Sequence, residues 1–268
     1  MSLGGVATSA AFFDLDKTVL ARSSMMAFAP SFRRAGMLRR SALLRAAWSH
    51  LCYVRWGAGP RRLERVQRAV LRTTAGWDQA QVRDLVAGGL EVAIDPIVHR
   101  EAADAIAAHR AAGRPVVLVS AAPEELVEPI GARLGVDAVI ASRAVLDAAG
   151  CYSGRLERYA YGPAKALLIQ EWAAERGIEL ASSWAYSDSA TDVPMLEAVG
   201  NAVAVNPDRV LRRVASLRGW SIERFGLAPP AEPPAPSKVG RASAAVAVMA
   251  AATGGFTVWA RRRPSRAG

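Results

Sequence analysis

Three short apolar runs, each ending in a polar or acidic residue, constrain this chain more than any other feature. Ala10-Ala11-Phe12-Phe13 leads into Asp14-Leu15-Asp16, Pro115-Val116-Val117-Leu118-Val119 ends at Ser120, and Trp184-Ala185-Tyr186 ends at Ser187-Asp188. Runs this short, apolar on every side chain, read as strands buried on both faces. Further strands are expected at 139–141 and 202–205, with a short hairpin about Gly150. Helical periodicity fills the intervals: 24–89 with breaks near 57–60 and Gly76, 95–112 opened by Asp95-Pro96 and stopped by Gly113, then 163–176, 193–198 and 207–218. Strands alternating with helices predict an α/β fold on a parallel sheet with right-handed crossovers. Such a sheet binds its ligand outside the carboxyl ends of its strands. Asp14 and Asp16, Ser120 and Asp188 all fall at such ends.

Composition narrows the chemistry. The 268 residues suffice for a full core, and 51% hydrophobic content with few aromatics and abundant alanine suits helices packed on a sheet. Cys52 and Cys151 form no CxxC pair, and His50, His99 and His109 are scattered, so neither a disulfide framework nor a zinc pattern is present in the sequence. A metal in this chain is therefore a hard ion held by carboxylates. The formal charge of +10 is carried almost wholly by arginine, since lysine occurs only at Lys17, Lys165 and Lys238. A basic balance points to an anionic partner: a phosphorylated substrate, a membrane surface or a nucleic acid. No nucleic-acid recognition motif is found, and nucleic acid is not expected as a partner.

Asp14-Leu15-Asp16-Lys17-Thr18 sets two carboxylates one residue apart at a strand exit. In phosphoryl transfer one carboxylate can attack phosphorus and become an aspartyl-phosphate. The other can protonate the leaving oxygen and then activate water. Two carboxylates so near a phosphate repel it unless cations intervene, so the pair calls for Mg²⁺ and a basic side chain. Asp188 and Asp192, in Ser187-Asp188-Ser189-Ala190-Thr191-Asp192, are the remaining acids suited to a metal's surroundings. Lys165 is the compact cation, and Ser120 supplies a hydroxyl to phosphate oxygens. Each has a plainer reading alone: Asp16 as turn chemistry, Ser120 and Asp192 as helix caps, Lys165 as a solvated residue. Their joint order, each at an element boundary, favours chemistry.

DxDxT, a strand-ending serine, a lysine and a paired-aspartate motif, in that order, resemble the haloacid dehalogenase (HAD) superfamily. The long helical insert after the first motif is similar to its phosphoserine-phosphatase-like IB branch. The resemblance covers about 10–225 and implies a Rossmann-like parallel sheet with a helical cap inserted after the first strand. It implies Asp14 as nucleophile and metal ligand, and Asp16 as acid and base whose main-chain carbonyl also meets the metal. It implies Asp188 as metal ligand, Thr18, Ser120 and Lys165 at the phosphate, and Asp192 and Thr191 as supports behind them. Asp16 favours a phosphatase over a dehalogenase, which needs no acid there. The sequence departs from phosphoserine phosphatases at Ser23, nine residues after Asp14, where they carry a glutamate that reads the substrate amine. It departs again at Ala121, Ala122, Ser187 and Ser189, which replace glycines, and at Thr191, which replaces asparagine.

The chain accordingly divides into a catalytic core at 8–22 and 92–228, a cap at 23–91, a Pro-rich linker at 229–241, a candidate transmembrane anchor at 242–260 and a basic tail at 261–268. The uncharged run 242–260 is about long enough to cross a bilayer as a C-terminal hydrophobic helix, though poor in Leu and Ile and interrupted by Gly254-Gly255; its plain reading is an Ala-rich tail. With no secretory signal at 1–11, the catalytic domain is expected in the cytoplasm, with this helix as its membrane tether. From 21 to 76 the insert holds twelve arginines against one acid, Glu64. Those arginines, interleaved with Leu43-Leu44, Trp48, Leu51, Tyr53, Val54 and Trp56, suit an anionic substrate or an anionic lipid surface. The leading expectation is a phosphatase of small phosphomonoesters. Its alternatives are the same chemistry on a lipid phosphate (a lysophospholipid or polyprenyl phosphate) and an inactive scaffold at the membrane.

Overall fold

The computed structural model describes residues 8–38 and 60–226, with the backbone alone for 60–66. The arginine-aromatic stretch 39–59 and everything from 227 on, including the expected linker, anchor and tail, lie outside the described residues. Among the described residues no helix is long and apolar enough to cross a membrane.

Seven strands form one sheet in the order β4-β3-β2-β1-β5-β6-β7. They are β1 (Ala11–Asp14), β2 (Val116–Pro123), β3 (Ala138–Leu146), β4 (Tyr152–Arg158), β5 (Trp184–Ser187), β6 (Asn201–Val205) and β7 (Ser221–Glu223). All neighbours pair in parallel except β3 and β4, which form an antiparallel hairpin. β1 lies between β2 and β5, in register Phe12↔Val117 and Phe12↔Ala185. The chain leaves β1 to build one flank and returns beside it at β5 to build the other, so the strand order reverses at Asp14, the place where open α/β sheets bind ligands.

Successive side chains of a strand point to opposite faces, so each all-apolar strand feeds two cores. Phe13, Leu118 and Tyr186 join one cluster, while Phe12, Val119 and Ala185 join the other. Phe13 stacks on Tyr186 with ring centroids 4.1 Å apart, and Phe12 meets Trp172 edge-on at 5.7 Å. Among the described residues the α-helices are α1 (Ser24–Arg34), α2 (Pro60–Thr74), α3 (Gln79–Ala87), α4 (Leu90–Ala93), α5 (Arg100–Ala111), α6 (Glu124–Leu134), α7 (Pro163–Arg176), α8 (Val193–Glu197) and α9 (Arg209–Arg218). α1, α3, α5 and α6 pack residues such as Phe28, Val86, Ile106 and Ile130 into the first cluster. α7, α8 and α9 pack Ile169, Leu196 and Leu211 into the second. The result is the expected three-layer α/β architecture.

Three details differ from the sequence expectation. Residues 95–97 make a single 3-10 turn and α5 begins at Arg100, because the backbone at 97–99 is drawn alongside 19–21: Ala21 N–H donates to the Ile97 carbonyl (2.7 Å) and His99 N–H to that of Val19 (2.9 Å). The insert therefore enters and leaves through one paired neck. Helix α6 had no clear sequence signal, since Pro129 and Gly131 interrupt the period of Leu126, Val127, Ile130 and Leu134. Gly131 is required by proximity: a Cβ there would lie 2.8 Å from the Val139 side chain on β3. The hairpin is longer than expected, and its tip binds the insert through Gly76 N–H to the Tyr152 carbonyl (2.8 Å) and Tyr152 N–H to that of Trp77 (2.9 Å).

Candidate active site

Beyond β1 the chain turns tightly, with Val19 and Leu20 N–H both donating to the Leu15 carbonyl at 3.0 and 2.9 Å. The turn puts Lys17 at φ 69°, a left-handed conformation that a side chain adopts at some cost. It brings the Thr18 hydroxyl back to Asp14, donating to Oδ2 at 3.0 Å, while the Thr18 Oγ1 itself accepts the Asp188 N–H at 3.0 Å. Thr18 is fully buried, and its hydroxyl joins the exits of β1 and β5.

Lys165 enters from the first turn of α7. Its ammonium lies 2.6 Å from Asp14 Oδ1 and 2.8 Å from Asp192 Oδ2, with all three side chains buried. The Ser187 hydroxyl donates to Asp192 Oδ2 at 2.8 Å, and Thr191 and Ser189 join hydroxyls at 3.0 Å, fixing the loop that carries Asp188 and Asp192. Segments 14–18, 165 and 187–192 thus meet at one point. Ser120, expected to end its strand, instead lies inside β2 where the pairing with β3 loses register, and it is buried, its hydroxyl accepting the Ala122 N–H at 3.2 Å. Asp16 stands beside the group on the insert side, where its Oδ1 accepts the Ser24 N–H at 2.8 Å.

The electrostatics show a site short of positive charge. Burial pushes the Asp14 carboxyl up to about 7 against the pull of Lys165, with Asp192 and Asp188 adding to the rise. Burial likewise pushes Asp188 up to about 6, opposed chiefly by Lys17. Burial alone would lower the Lys165 ammonium, yet Asp14 and Asp192 outweigh it and hold it above the ordinary lysine range. Desolvated carboxylates that one lysine cannot neutralise suit a hard divalent cation with oxygen ligands. Among the described residues no three acidic, His or Cys side chains are grouped to hold a metal by themselves. The donor set implied by the sequence asks for less, namely two carboxylates, Asp14 and Asp188, and the Asp16 carbonyl, with water completing the shell of a magnesium ion. The residues present fit that ion.

Two groups near the site escaped the sequence reading. The sequence marks Ser24 only as the start of helical periodicity, and its contact with Asp16 follows from the turn at Lys17, which no periodicity reveals. Tyr159 and Tyr161 stack at 5.4 Å on the segment leading to Lys165. Burial, and then Tyr161, push the Tyr159 hydroxyl up to about 12, while Lys165 opposes them.

Comparison with known proteins places these residues in a wider group. A family model described as haloacid dehalogenase-like hydrolase matches residues 11–197. The chain is 47% identical over 263 residues to a Streptomyces azureus protein named "Inhibition of morphological differentiation protein", covering 95% of this chain and 94% of that one. It is 45% identical over 260 residues to a Mycobacterium tuberculosis protein named "Probable phosphatase", covering 96% and 90%. A phosphoserine phosphatase of the same organism is 33% identical over 264 residues, covering 97% and 82%. Among solved structures, a Bordetella pertussis protein of unknown function superposes with TM-score 0.70 at 30% identity, covering 81% of this chain and 98% of that one. A phosphoserine phosphatase bearing a phospho-aspartyl intermediate analogue shares the fold, with TM-score 0.59 at 19% identity, covering 82% and 95%.

Proposed function

The chain belongs to the haloacid dehalogenase-like hydrolases and acts on phosphoric monoester bonds, and we propose that it does so with Asp14 as nucleophile, Asp16 as acid and base, and Mg²⁺ as cofactor, on a small phosphomonoester. The observation that carries the reading is the double contact of Lys165 with Asp14 and Asp192, in a group tied to Asp188 through Thr18. It supplies a buried carboxylate whose neighbouring cation can also meet a phosphate oxygen.

In this reading an Asp14 oxygen attacks phosphorus and the ester oxygen departs with a proton from Asp16. Asp16, now ionised, takes a proton from water, which attacks the phosphorus and returns Asp14 to its free carboxylate. Lys165 holds a phosphate oxygen while screening Asp14, and the Ser120 hydroxyl holds a second. Magnesium, held by Asp14, Asp188 and the Asp16 carbonyl, would neutralise phosphate charge against these acids. Asp192 and Thr191 keep Lys165 and the Asp188 loop in place. Thr18 acts in this reading by joining Asp14 to the Asp188 main chain. The helices of 23–91 serve as a cap over the site.

Ser23 stands where phosphoserine phosphatases carry the glutamate that reads an amine, so the proposal specifies a small phosphomonoester and leaves the amine out. The test is a substrate panel with the purified full chain and Mg²⁺, including phosphoserine, other soluble monoesters, a lysophosphatidate and a polyprenyl phosphate. Turnover of soluble monoesters well above the lipid phosphates, lost on chelation, is the expected result. A preference for a lipid phosphate would transfer the same chemistry to the membrane-associated reading, and no turnover of any phosphate would leave the inactive scaffold.

A further inference from the structure

α1 begins without a cap of its own. Its preceding residue, Ser23, has the extended backbone of an N-cap (φ −62°, ψ 131°), but no side-chain cap bond is made and the first turn contains no acid. The first main-chain N–H of a helix lacks a partner within it and carries the positive end of the helix dipole. Here that donor, Ser24 N–H, points to Asp16 Oδ1 at 2.8 Å. The Ser24 hydroxyl is fully buried and makes no hydrogen bond, and burial raises the Asp16 carboxyl against the opposing pull of the Ser24 main-chain N–H and of the Ser24 and Ser23 hydroxyls. α1 itself is anchored by Phe28 and Phe32, both buried in the core cluster. A rigid helix therefore presents one bonded donor, and beside it one buried hydroxyl without a partner, to the carboxylate assigned as the acid.

We propose that Ser24 is a positioning residue for the reaction, holding the Asp16 carboxyl in line with the departing ester oxygen through its main-chain N–H and buried hydroxyl. The proposal rests on the assignment of Asp16 as the acid. It ties proton delivery to the seating of α1 on the core: an insert that lifts away takes both donors with it, and Asp16 loses its fixed direction. Loss of position matters most when the leaving oxygen is basic, because such an oxygen needs the proton and a good leaving group does not.

The test uses kcat/KM, which reports the step in which the ester oxygen departs, on the magnesium-loaded full chain with aryl phosphates from 4-nitrophenyl to phenyl phosphate. Ser24→Pro removes both donors at a helix position that tolerates proline, after a residue already extended. Ser24→Ala removes the hydroxyl alone, and Ser24→Thr restores it. Ser24→Pro is expected to lose on the order of 100-fold on phenyl phosphate and under about 5-fold on 4-nitrophenyl phosphate. Ser24→Ala should show a shallower slope of the same sign, and Ser24→Thr should match the wild type. An equal loss along the series, or none, in both Ser24→Pro and Ser24→Ala overturns the proposal; should Ser24→Pro fail to fold, the Ser24→Ala series decides alone. Asp16→Asn is run alongside. A steep series for that variant with a flat one for Ser24 refutes the positioning role alone, whereas a flat Asp16→Asn series refutes the assignment of the acid and this proposal with it.

Discussion

The Lys165 ammonium lies 2.6 Å from a carboxylate oxygen of Asp14, 151 positions earlier in the chain, and both groups are buried. The same ammonium reaches Asp192 at 2.8 Å, so two acids share one cation. Replacing Lys165 by methionine keeps most of the volume and leaves both acids without their cation, held by the Thr18 and Ser187 hydroxyls. Breaking a buried pair from one side typically costs about 3–5 kcal/mol. Urea unfolding of Lys165→Met should show a loss of that order, and phosphatase activity should vanish. An unchanged midpoint would mean that the acids are not held together by this lysine.

Asp14→Asn preserves shape and one acceptor oxygen, for either Thr18 or Lys165, while removing the nucleophile. Turnover of 4-nitrophenyl phosphate should fall at least about 1000-fold, as for other enzymes that lose a nucleophile, with the circular dichroism spectrum unchanged. Activity at the wild-type level would assign the nucleophile to another residue.

How much of this was legible beforehand depended on the range of the interaction. The all-apolar runs at 10–13, 115–119 and 184–186 announced the parallel sheet because a strand buried on both faces has no polar position to spare. Their polar termini announced the site because strand order, once parallel, sends all three to one edge. The contact of Thr18 with both Asp14 and Asp188 was hidden, because it depends on a left-handed residue at Lys17 that nothing in the sequence demands. The Ser24–Asp16 contact was hidden for the same reason. Helix α6 was obscured by Pro129 and by Gly131, the latter needed for close approach to Val139 rather than for a turn.

Asp188 offers a test of the metal assignment. In the proposed set it is one of two side-chain ligands, so Asp188→Asn should weaken Mg²⁺ dependence by at least about 10-fold in half-saturating concentration. The wild type should also gain thermal stability on adding Mg²⁺, since a ligand that binds the folded state alone stabilises it by mass action. Calorimetry with and without chelator checks both. A Mg²⁺-induced shift in melting temperature as large in Asp188→Asn as in the wild type would remove Asp188 from the set.

Gly200, between α8 and β6, is fixed by contact instead of conformation. A Cβ at that position would fall 1.8 Å from the Ala181 carbonyl oxygen, and the Gly200 N–H is engaged by the Leu180 carbonyl at 2.9 Å. Main-chain atoms cannot swing aside as a flexible side chain can, so the segments must separate. Gly200→Ala should destabilise by about 3 kcal/mol, at the upper end of ordinary overpacking, measured by urea unfolding. A change within error would show that the 180–184 segment is free to move.

His109 provides a pH-dependent test away from the site. Its ring is 4% exposed, faces Phe13 and Trp184, and accepts the Arg114 Nε–H on Nδ1 at 2.8 Å while its Nε2 meets the Tyr186 hydroxyl at 2.9 Å. Protonating Nδ1 would set two N–H donors against each other beside a guanidinium that also covers the Trp184 ring. Burial, and then the Arg114 charge, lower this histidine from 6.5 to about 4. Between those values the unfolded chain binds a proton that the folded chain refuses, so stability from this group is present above about pH 6.5 and is lost as the pH falls toward 4. The gap of about 2.5 units corresponds to roughly 3 kcal/mol across the window. Asp14 and Asp188 act with the opposite sign, because their folded values are raised to about 7 and about 6 and their contribution is lost as pH rises. The raw profile mixes the two, and the difference between wild type and His109→Gln separates them. That difference should favour the wild type most at pH 7 and shrink steadily toward pH 4; a difference independent of pH would mean that the folded protein accepts a proton at His109 after all.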